Sequence, residues 1–140
     1  MRPGSIPVGL QLAHSAKHVS RAFNDALVEV GGSVPTWLIL THLTGDEWRT
    51  QHELARALRI EGPTLTRHLD GAEQEGLVVR RRDPDDRRAV RVELTEAGKA
   101  KHAETLRAVQ AFNQRLLSGL SDAEIDRLRG LLAKLEQNVR

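Results

Sequence analysis

The chain has 140 residues, of which 39% are hydrophobic, 29% are charged and only 3% are aromatic, and it contains no cysteine. One domain, or two small parts sharing a core, is therefore expected, whereas disulfides, thiolate metal sites and cysteine redox sensing are excluded. The scarcity of aromatic rings argues against a base-stacking surface for single-stranded nucleic acid. The net charge is only +2 although the pI is about 9.5, so where the charge lies is the informative question.

The first predicted element is a long amphipathic helix over residues 8–30, because apolar side chains recur there at spacings of three and four. Its apolar stripe consists of Leu12, Ala16, Val19, Phe23, Ala26 and Val30. The glycines at 31–32 then interrupt the chain, and Ser33 is expected to cap a second helix with Pro35 in its first turn. That helix, residues 36–43, is apolar nearly all round and is predicted to lie in the core.

Two shorter helices separated by a tight turn are predicted next. Thr50 and Glu53 form a capping box in front of a helix over 53–60. The turn at 61–63 leads into a further helix with Pro63 as its first residue.

This second short helix is predicted to extend to about Glu75, since Gly76 followed by Leu77 is typical of a left-handed C-cap. At 100° per residue, one side of it faces the core through Leu65, Leu69 and Ala72. The opposite side presents Pro63, Arg67, Asp70 and Gln74, flanked by Thr64 and Thr66. An ordinary amphipathic helix with a solvated face would show the same pattern.

Residues 77–95 are predicted to form two strands around a Pro/Asp turn, with Val90, Val92 and Leu94 on one face. Six arginines lie within this hairpin, at Arg80, Arg81, Arg82, Arg87, Arg88 and Arg91. Two short helices followed by such a hairpin predict a winged helix-turn-helix, whose second helix enters the major groove of DNA. The arginines are expected to neutralise phosphates and probe the minor groove, while the aspartates hold the tip in shape. A solubilising charge cluster is the alternative.

The remainder of the chain is predicted to be helical. Thr95 is expected to cap a long helix over 96–118, and a second capping box at 121–124 starts the last helix. The apolar stripes of these helices contain Leu106, Val109, Phe112, Leu116 and Leu120, and then Ile125, Leu128, Leu131, Leu132, Leu135 and Val139. The expected fold class is mainly α with a small β-wing.

The wing and the start of the following helix, DRRAVRVELTEAG at 86–98, resemble the MarR family of bacterial regulators. The family pattern of Asp, Arg, an apolar residue and Leu-Thr falls on Asp86, Arg88, Val92, Leu94 and Thr95. The helix-turn-helix at 53–80 is also similar, and its PTLTRHLD segment is nearest the SlyA branch. The resemblance covers nearly the whole chain.

This resemblance implies a homodimeric repressor that reads a near-palindromic duplex. A winged DNA-binding domain would occupy residues 33–99, and dimerisation helices would occupy 1–32 and 100–140. Independent reasoning agrees, because two apolar-faced terminal segments need a partner and paired half-sites need a two-fold axis.

By the same resemblance, Arg88 enters the minor groove and Asp86 positions it. The other predicted DNA contacts are Pro63, Thr64, Thr66, Arg67, Arg82 and Arg87. Glu61 departs from the family, where a serine often caps the recognition helix, and an acid there would repel a nearby phosphate.

Family members often bind small aromatic or phenolic effectors between the dimerisation helices and the winged part. The matching candidates here are His14, His18, Trp37 and His42. Solvated histidines and a core tryptophan are the competing interpretation. No cofactor is expected.

His14 and His18 have the i, i+4 spacing of two metal ligands, and Asp25, His42 or His102 would have to supply the third. A metal-sensing regulator is therefore an alternative, although no metal residue is assigned. His102 lies on the apolar face of its helix, where a satisfied core histidine is the competing interpretation.

An enzyme is not expected, since the chain has no Ser-His-Asp arrangement, phosphate-cradling glycine loop or HExxH motif. A winged-helix module that binds an acidic protein is a further alternative. The chain has no apolar run long enough for a membrane span and no secretory signal, so a cytoplasmic location is expected.

Overall fold

The computed structural model describes residues 4–45 and 48–140. The helices are α1 (Val8–Val28), α2 (Val34–His42), α3 (Gln51–Leu58), α4 (Gly62–Gln74), α5 (Glu96–Leu116) and α6 (Asp122–Asn138). The strands are β1 (Arg49–Thr50), β2 (Val78–Arg82) and β3 (Val90–Leu94). This is the predicted mainly helical fold with a small wing. Within these ranges, no helix is both long enough and apolar enough to pass through a bilayer.

All four predicted helix N-caps are formed. Ser33, Thr50, Thr95 and Ser121 each accept a hydrogen bond from the amide three residues later, at 3.3, 3.1, 3.0 and 3.2 Å. The last of these is a complete capping box, because the Ser121 amide also donates to Glu124 at 3.0 Å. That hydrogen bond favours the ionised carboxylate and lowers the pKa of Glu124. Short polar side chains therefore determine where these helices begin.

Helix boundaries differ from the predicted ones by one or two residues. α2 begins directly after its cap, two residues before the predicted start. α3 ends two residues early, because Arg59 adopts a left-handed φ of 54° and begins the turn there. Pro63 is the second helical residue rather than the first, since α4 begins at Gly62. These shifts leave the register of the core-facing residues unchanged.

One apolar core holds the helix-turn-helix and the wing together. Its fully buried members come from α2, α3, α4 and the strands, and include Ile39, Leu40, Leu43, Leu54, Leu65, Leu69, Val78 and Val92. The predicted core face of α4 and the central position of α2 are thereby confirmed. Each buried leucine of this kind stabilises the fold by roughly 1.5–3 kcal/mol.

The sheet has three antiparallel strands in the order β1-β3-β2, one more than predicted. In the wing hairpin Val78 pairs with Leu94 and Arg82 pairs with Val90. The additional strand, β1, places Arg49 beside Val92 on the other edge of β3. Two residues are too few to show an alternating pattern, so the sequence contains no periodic signal for β1.

The described residues up to Val109 form one compact unit, and Gln110–Arg140 form a second. In the first unit, the beginning of the chain exposes Ile6, Val8, Leu10 and Leu12. In the second unit, α6 exposes Leu128, Leu131, Leu132 and Leu135, each at 40–48% of its surface. Contiguous apolar side chains of this kind are typical of a surface that another protein covers.

Candidate nucleic-acid interface

The outward face of α4 carries the predicted base-reading residues. Pro63 and Arg67 are exposed, whereas Thr64 and Thr66 are half-buried at the flanks. Arg67 lies opposite the buried stripe, and in the described part of the chain nothing forms a hydrogen bond or ion pair with it. Its five guanidinium donors are therefore available to a ligand outside the protein.

Arg80 connects the wing to α4. Its Nη2 lies 2.6 Å from Oδ1 of Asp70, and its Nε lies 2.9 Å from Oε2 of Glu73. The hydrogen bond to Glu73, and with it the bond to Asp70, raises the pKa of Arg80 against the opposing effect of burial. One of the six wing arginines, which was not among the predicted DNA contacts, thus fastens β2 to α4 through two ion pairs.

Arg80→Ala should lower the free energy of unfolding by about 1 kcal/mol, because both ion pairs are partly exposed and such pairs are individually weak. Urea denaturation measures this loss. Arg81→Ala is the matched control, since Arg81 is the exposed next residue and strand side chains alternate between faces. Equal losses in the two variants would contradict the fastening role.

Arg91 is a second wing arginine that contacts other side chains of the protein, and it is half-buried. Its guanidinium carbon lies 3.7 Å from the ring centroid of Trp48, a cation–π contact. On its other side, Nε is 3.7 Å from Oδ2 of the buried Asp83, which is an ion-pair distance but too long for a hydrogen bond. Arg91 therefore stiffens the wing next to its tip loop.

Two aspartates shape the tip of the wing. Oδ1 of Asp83 accepts from the Asp85 amide at 2.9 Å, and Oδ1 of Asp86 accepts from the Arg88 amide at 3.0 Å. Both are side-chain-to-backbone bonds two residues along, the pattern of an Asx turn. Asp86 therefore contacts the backbone of Arg88, and the Arg88 side chain remains exposed.

The remaining arginines of the hairpin are exposed at or near this tip. Arg82 donates from Nη1 to the carbonyl oxygen of Arg87 at 2.9 Å, so it braces the loop with part of its donor set. Arg81, Arg87 and Arg88 are exposed. Arg81 was not among the predicted contacts, because its position on a strand does not distinguish it from Arg80 without knowledge of which face packs on α4.

An open groove of about 860 Å³ lies between α3 and the wing. His52 and Arg56 of α3 line one side, and Arg88 lines the other. Glu53 and Asp86 also line it, so the cationic surface is interrupted by two carboxylates. The groove lies between the N-terminal part of α3 and the arginine-tipped hairpin, an arrangement suited to a phosphate backbone.

The predicted effector residues are placed in two environments. His14 and His18 are exposed on α1, whereas Trp37 and His42 are half-buried on α2. Nδ1 of His42 is 2.9 Å from the carbonyl oxygen of Leu38, within its own helix. Trp37 packs edge-on against Phe23 with ring centroids 5.9 Å apart, and its buried Nε1 has no hydrogen-bond acceptor among the described residues.

The histidines do not assemble into a metal site in the described ranges, 4–45 and 48–140. No group of three or more His, Asp or Glu side chains there is arranged to hold an ion. The alternative of a metal-sensing regulator therefore has no structural support from these residues.

Comparison with known proteins identifies the family to which this winged helix-turn-helix fold belongs. A sequence profile of the MarR family matches residues 31–89. A probable transcriptional regulator from Pseudomonas aeruginosa is 30% identical, with 91% of this chain and 96% of that chain covered and a TM-score of 0.80. The chain belongs to the MarR family. It is accordingly a winged-helix DNA-binding transcription regulator.

Two further structures show MarR-family folds with bound molecules. A cysteine-to-serine variant of MarR from E. coli, complexed with operator DNA, is 29% identical, with 93% and 94% coverage and a TM-score of 0.83. CouR from Rhodococcus jostii RHA1, bound to p-coumaroyl-CoA, is 28% identical, with 91% and 90% coverage and a TM-score of 0.77. SlyA shares the fold at 24% identity, and nearness to that branch stays a prediction.

Proposed function

We propose that this MarR-family regulator is a homodimeric repressor that reads a near-palindromic duplex and is released by a small effector. The observation that carries the proposal is that two exposed cationic features, the outward face of α4 and the tip of the wing, lie on the same compact unit. Arg67 projects from the outward face of α4, and Arg87 and Arg88 project from a tip that two Asx turns hold in shape. The E. coli MarR bound to operator DNA supports the duplex as the ligand.

In the proposed complex α4 lies in the major groove and the wing tip in the minor groove. Arg67 can then donate to O6 and N7 of a guanine, and Pro63 and Thr64 lie at the same end of the helix. Arg88 enters the minor groove, whose negative potential attracts arginine, while Arg82 and Arg87 neutralise flanking phosphates. The groove between α3 and the wing takes the sugar-phosphate backbone.

A second copy of the chain is the proposed partner for the uncovered apolar residues of the terminal segments. The predicted dimerisation helices, 1–32 and 100–140, include the exposed leucines of both compact units. A two-fold dimer presents two winged parts, residues 33–99, to two half-sites related by the same symmetry. Because these exposed leucines are proposed to be buried only in the dimer, we expect no folded monomer at micromolar concentration.

The proposed effector is a small aromatic or phenolic compound, as the p-coumaroyl-CoA bound to CouR suggests. The unpartnered Nε1 of Trp37 offers a buried donor that a ligand oxygen can accept from, and Phe23 supplies an aromatic neighbour. His42, His14 and His18 remain proposed contacts. No substrate turnover is expected from such a protein.

The deciding experiment is selection of bound sequences from a random duplex library, followed by binding of the selected duplex across a salt series. We expect an inverted repeat with half-site centres roughly 34–36 Å apart. The logarithm of affinity should fall linearly with the logarithm of salt concentration. Binding without sequence preference would leave only a nonspecific DNA binder, and binding of acidic polypeptides in place of duplexes would favour a protein-interaction module.

Arg88→Ala should weaken binding to all duplexes alike, by about tenfold, because the wing contacts groove and backbone rather than individual base edges. The salt dependence should become shallower by about one ion. Fluorescence anisotropy at several salt concentrations measures both changes. Arg140→Ala removes the same charge at a position two residues after the end of α6 and should leave both unchanged. A loss confined to one base sequence would contradict the placement of Arg88.

A further inference from the structure

The hydroxyl group of Thr66 has no proton to offer a ligand. Its Oγ1 donates to the carbonyl oxygen of Gly62, one helical turn earlier, at 3.0 Å. The same oxygen accepts from Nε2 of Gln51 at 2.7 Å. A threonine hydroxyl has a single proton, and here that proton is used inside the helix.

The bond from Gln51 joins the two helices of the helix-turn-helix. Gln51 is the first residue of α3, and Thr66 is the fifth residue of α4, fifteen positions later in the sequence. Both side chains are half-buried. The two hydrogen bonds together select one side-chain rotamer of Thr66, which a threonine in a helix otherwise divides between two.

Because its proton is already donated to Gly62, the Thr66 hydroxyl is limited in what it can recognise. Phosphate oxygens, the O6 and N7 of guanine, the N7 of adenine and the O4 of thymine are all acceptors, and each of them needs a donor. The base-edge donors, N6 of adenine and N4 of cytosine, have access only to the second lone pair of Oγ1, because Gln51 occupies the first. The Cγ2 methyl of Thr66 is free of such bonds. The only apolar group on a base edge in the major groove is the C5-methyl of thymine.

We propose that Thr66 recognises a thymine through contact between the two methyl groups, and that Gln51 is the positioning residue that holds Thr66 in this orientation. The proposal rests on the proposed docking of α4 in the major groove. Thr66 lies 100° around the helix from Arg67, so the two side chains meet neighbouring bases rather than the same one.

Deoxyuridine tests this assignment, because it differs from thymidine only by the missing methyl group. In the duplex selected by the unaltered protein, each thymine is replaced singly by deoxyuridine, in one half-site at a time, so that one methyl contact is removed in each duplex. The unaltered protein should bind about fourfold more weakly when the contacted thymine is replaced, the effect of losing one buried methyl.

Two matched variants separate the methyl from the hydroxyl. Thr66→Val keeps the methyl and removes the hydroxyl, and valine in a helix strongly prefers one rotamer without any hydrogen bond. It should therefore retain the fourfold ratio between thymine and uracil. Thr66→Ser keeps the hydroxyl and removes the methyl, and should bring the ratio at that one thymine to about one. Thermal unfolding followed by circular dichroism establishes that both variants are folded.

Gln51→Ala tests the positioning role. The thymine-to-uracil ratio at the same base should fall, while the salt dependence of binding stays unchanged because the phosphate contacts remain. A merely structural role would instead weaken binding to every duplex equally and leave the ratio intact.

The outcomes distinguish this assignment from the function on which it rests. A ratio lost in Thr66→Val but kept in Thr66→Ser would show hydroxyl recognition and overturn the assignment. A protein that selects a duplex in which no thymine is sensitive to uracil would overturn the assignment alone. Failure to select any duplex would overturn the proposed function, and the assignment with it.

Discussion

Gly98→Ala should lower the free energy of unfolding of the winged part, residues 33–99, by about 3 kcal/mol. This is the upper part of the range for overpacking a core. Gly98 is buried in the first turn of α5, where that helix passes over the turn between α4 and β2. A β-carbon there would overlap the carbonyl oxygen of Leu77 and lie 3.0 Å from Cδ2 of Leu94. The carbonyl of Leu77 cannot turn away, because it accepts from the Thr95 amide at 3.1 Å.

Urea denaturation of the two proteins, at equal dimer concentration, measures this effect. Gly71→Ala is the matched control, since Gly71 also lies within a helix of the same unit and a β-carbon there meets nothing within 4 Å. That control should be stabilised by roughly 0.5–1 kcal/mol through helix propensity. If Gly98→Ala were as stable as the unaltered protein, the close approach of α5 to Leu77 would be wrong.

The elements that the sequence predicts correctly are those determined by neighbouring residues. Ser33, Thr95 and Ser121 each cap a helix through an amide three residues away, and Gly76 ends α4 with the predicted positive φ, here 75°. The buried stripe of α4 follows from the 100° turn per residue alone. Such signals need no knowledge of the tertiary fold.

The sequence is a poorer guide where remote segments decide the outcome. Arg80 and Arg81 are adjacent and chemically identical, yet Arg80 pairs with Asp70 and Glu73 while Arg81 is exposed. The difference arises from which face of β2 packs against α4. In the same way, the sequence does not distinguish Arg91 from the exposed arginines of the wing. Its contact with Trp48 depends on strand β1, which follows Trp48 and was not predicted.

The position of the turn in the helix-turn-helix could not be predicted from neighbouring residues either. Glycine and proline at 62–63 favoured a turn at that point, but the left-handed residue is Arg59, a side chain that adopts this conformation at a cost of about 1–2 kcal/mol. Packing of Leu54 and Leu65 in the common core offsets that cost. Glu61 does occupy the N-cap, and its side chain forms no capping bond there.

Arg67→Ala should remove the preference for one base pair in each half-site, at a cost of about 1–3 kcal/mol for the selected duplex. Binding to unrelated duplexes should change little. Competition between the selected duplex and duplexes altered at single positions measures this loss. Arg67→Lys is the matched control, since lysine keeps the charge but lacks the planar pair of donors that fits guanine. If Arg67→Ala left both affinity and preference unchanged, α4 would not be the recognition helix.

We expect this preference to depend on Arg80 as well, although Arg80 is proposed to touch no base. Asp70 lies three residues after Arg67 on the same helix, a spacing at which opposite charges pair. In the structure Arg80 holds Asp70 at 2.6 Å, which leaves Arg67 free. Arg80→Ala should therefore release Asp70 to compete for Arg67 and reduce the same base preference. Asp70→Asn in the Arg80→Ala background should restore the base preference, because the competing carboxylate is gone. If Arg80 acted only by holding β2 against α4, the double variant would show no recovery, since the ion pairs between them would still be missing.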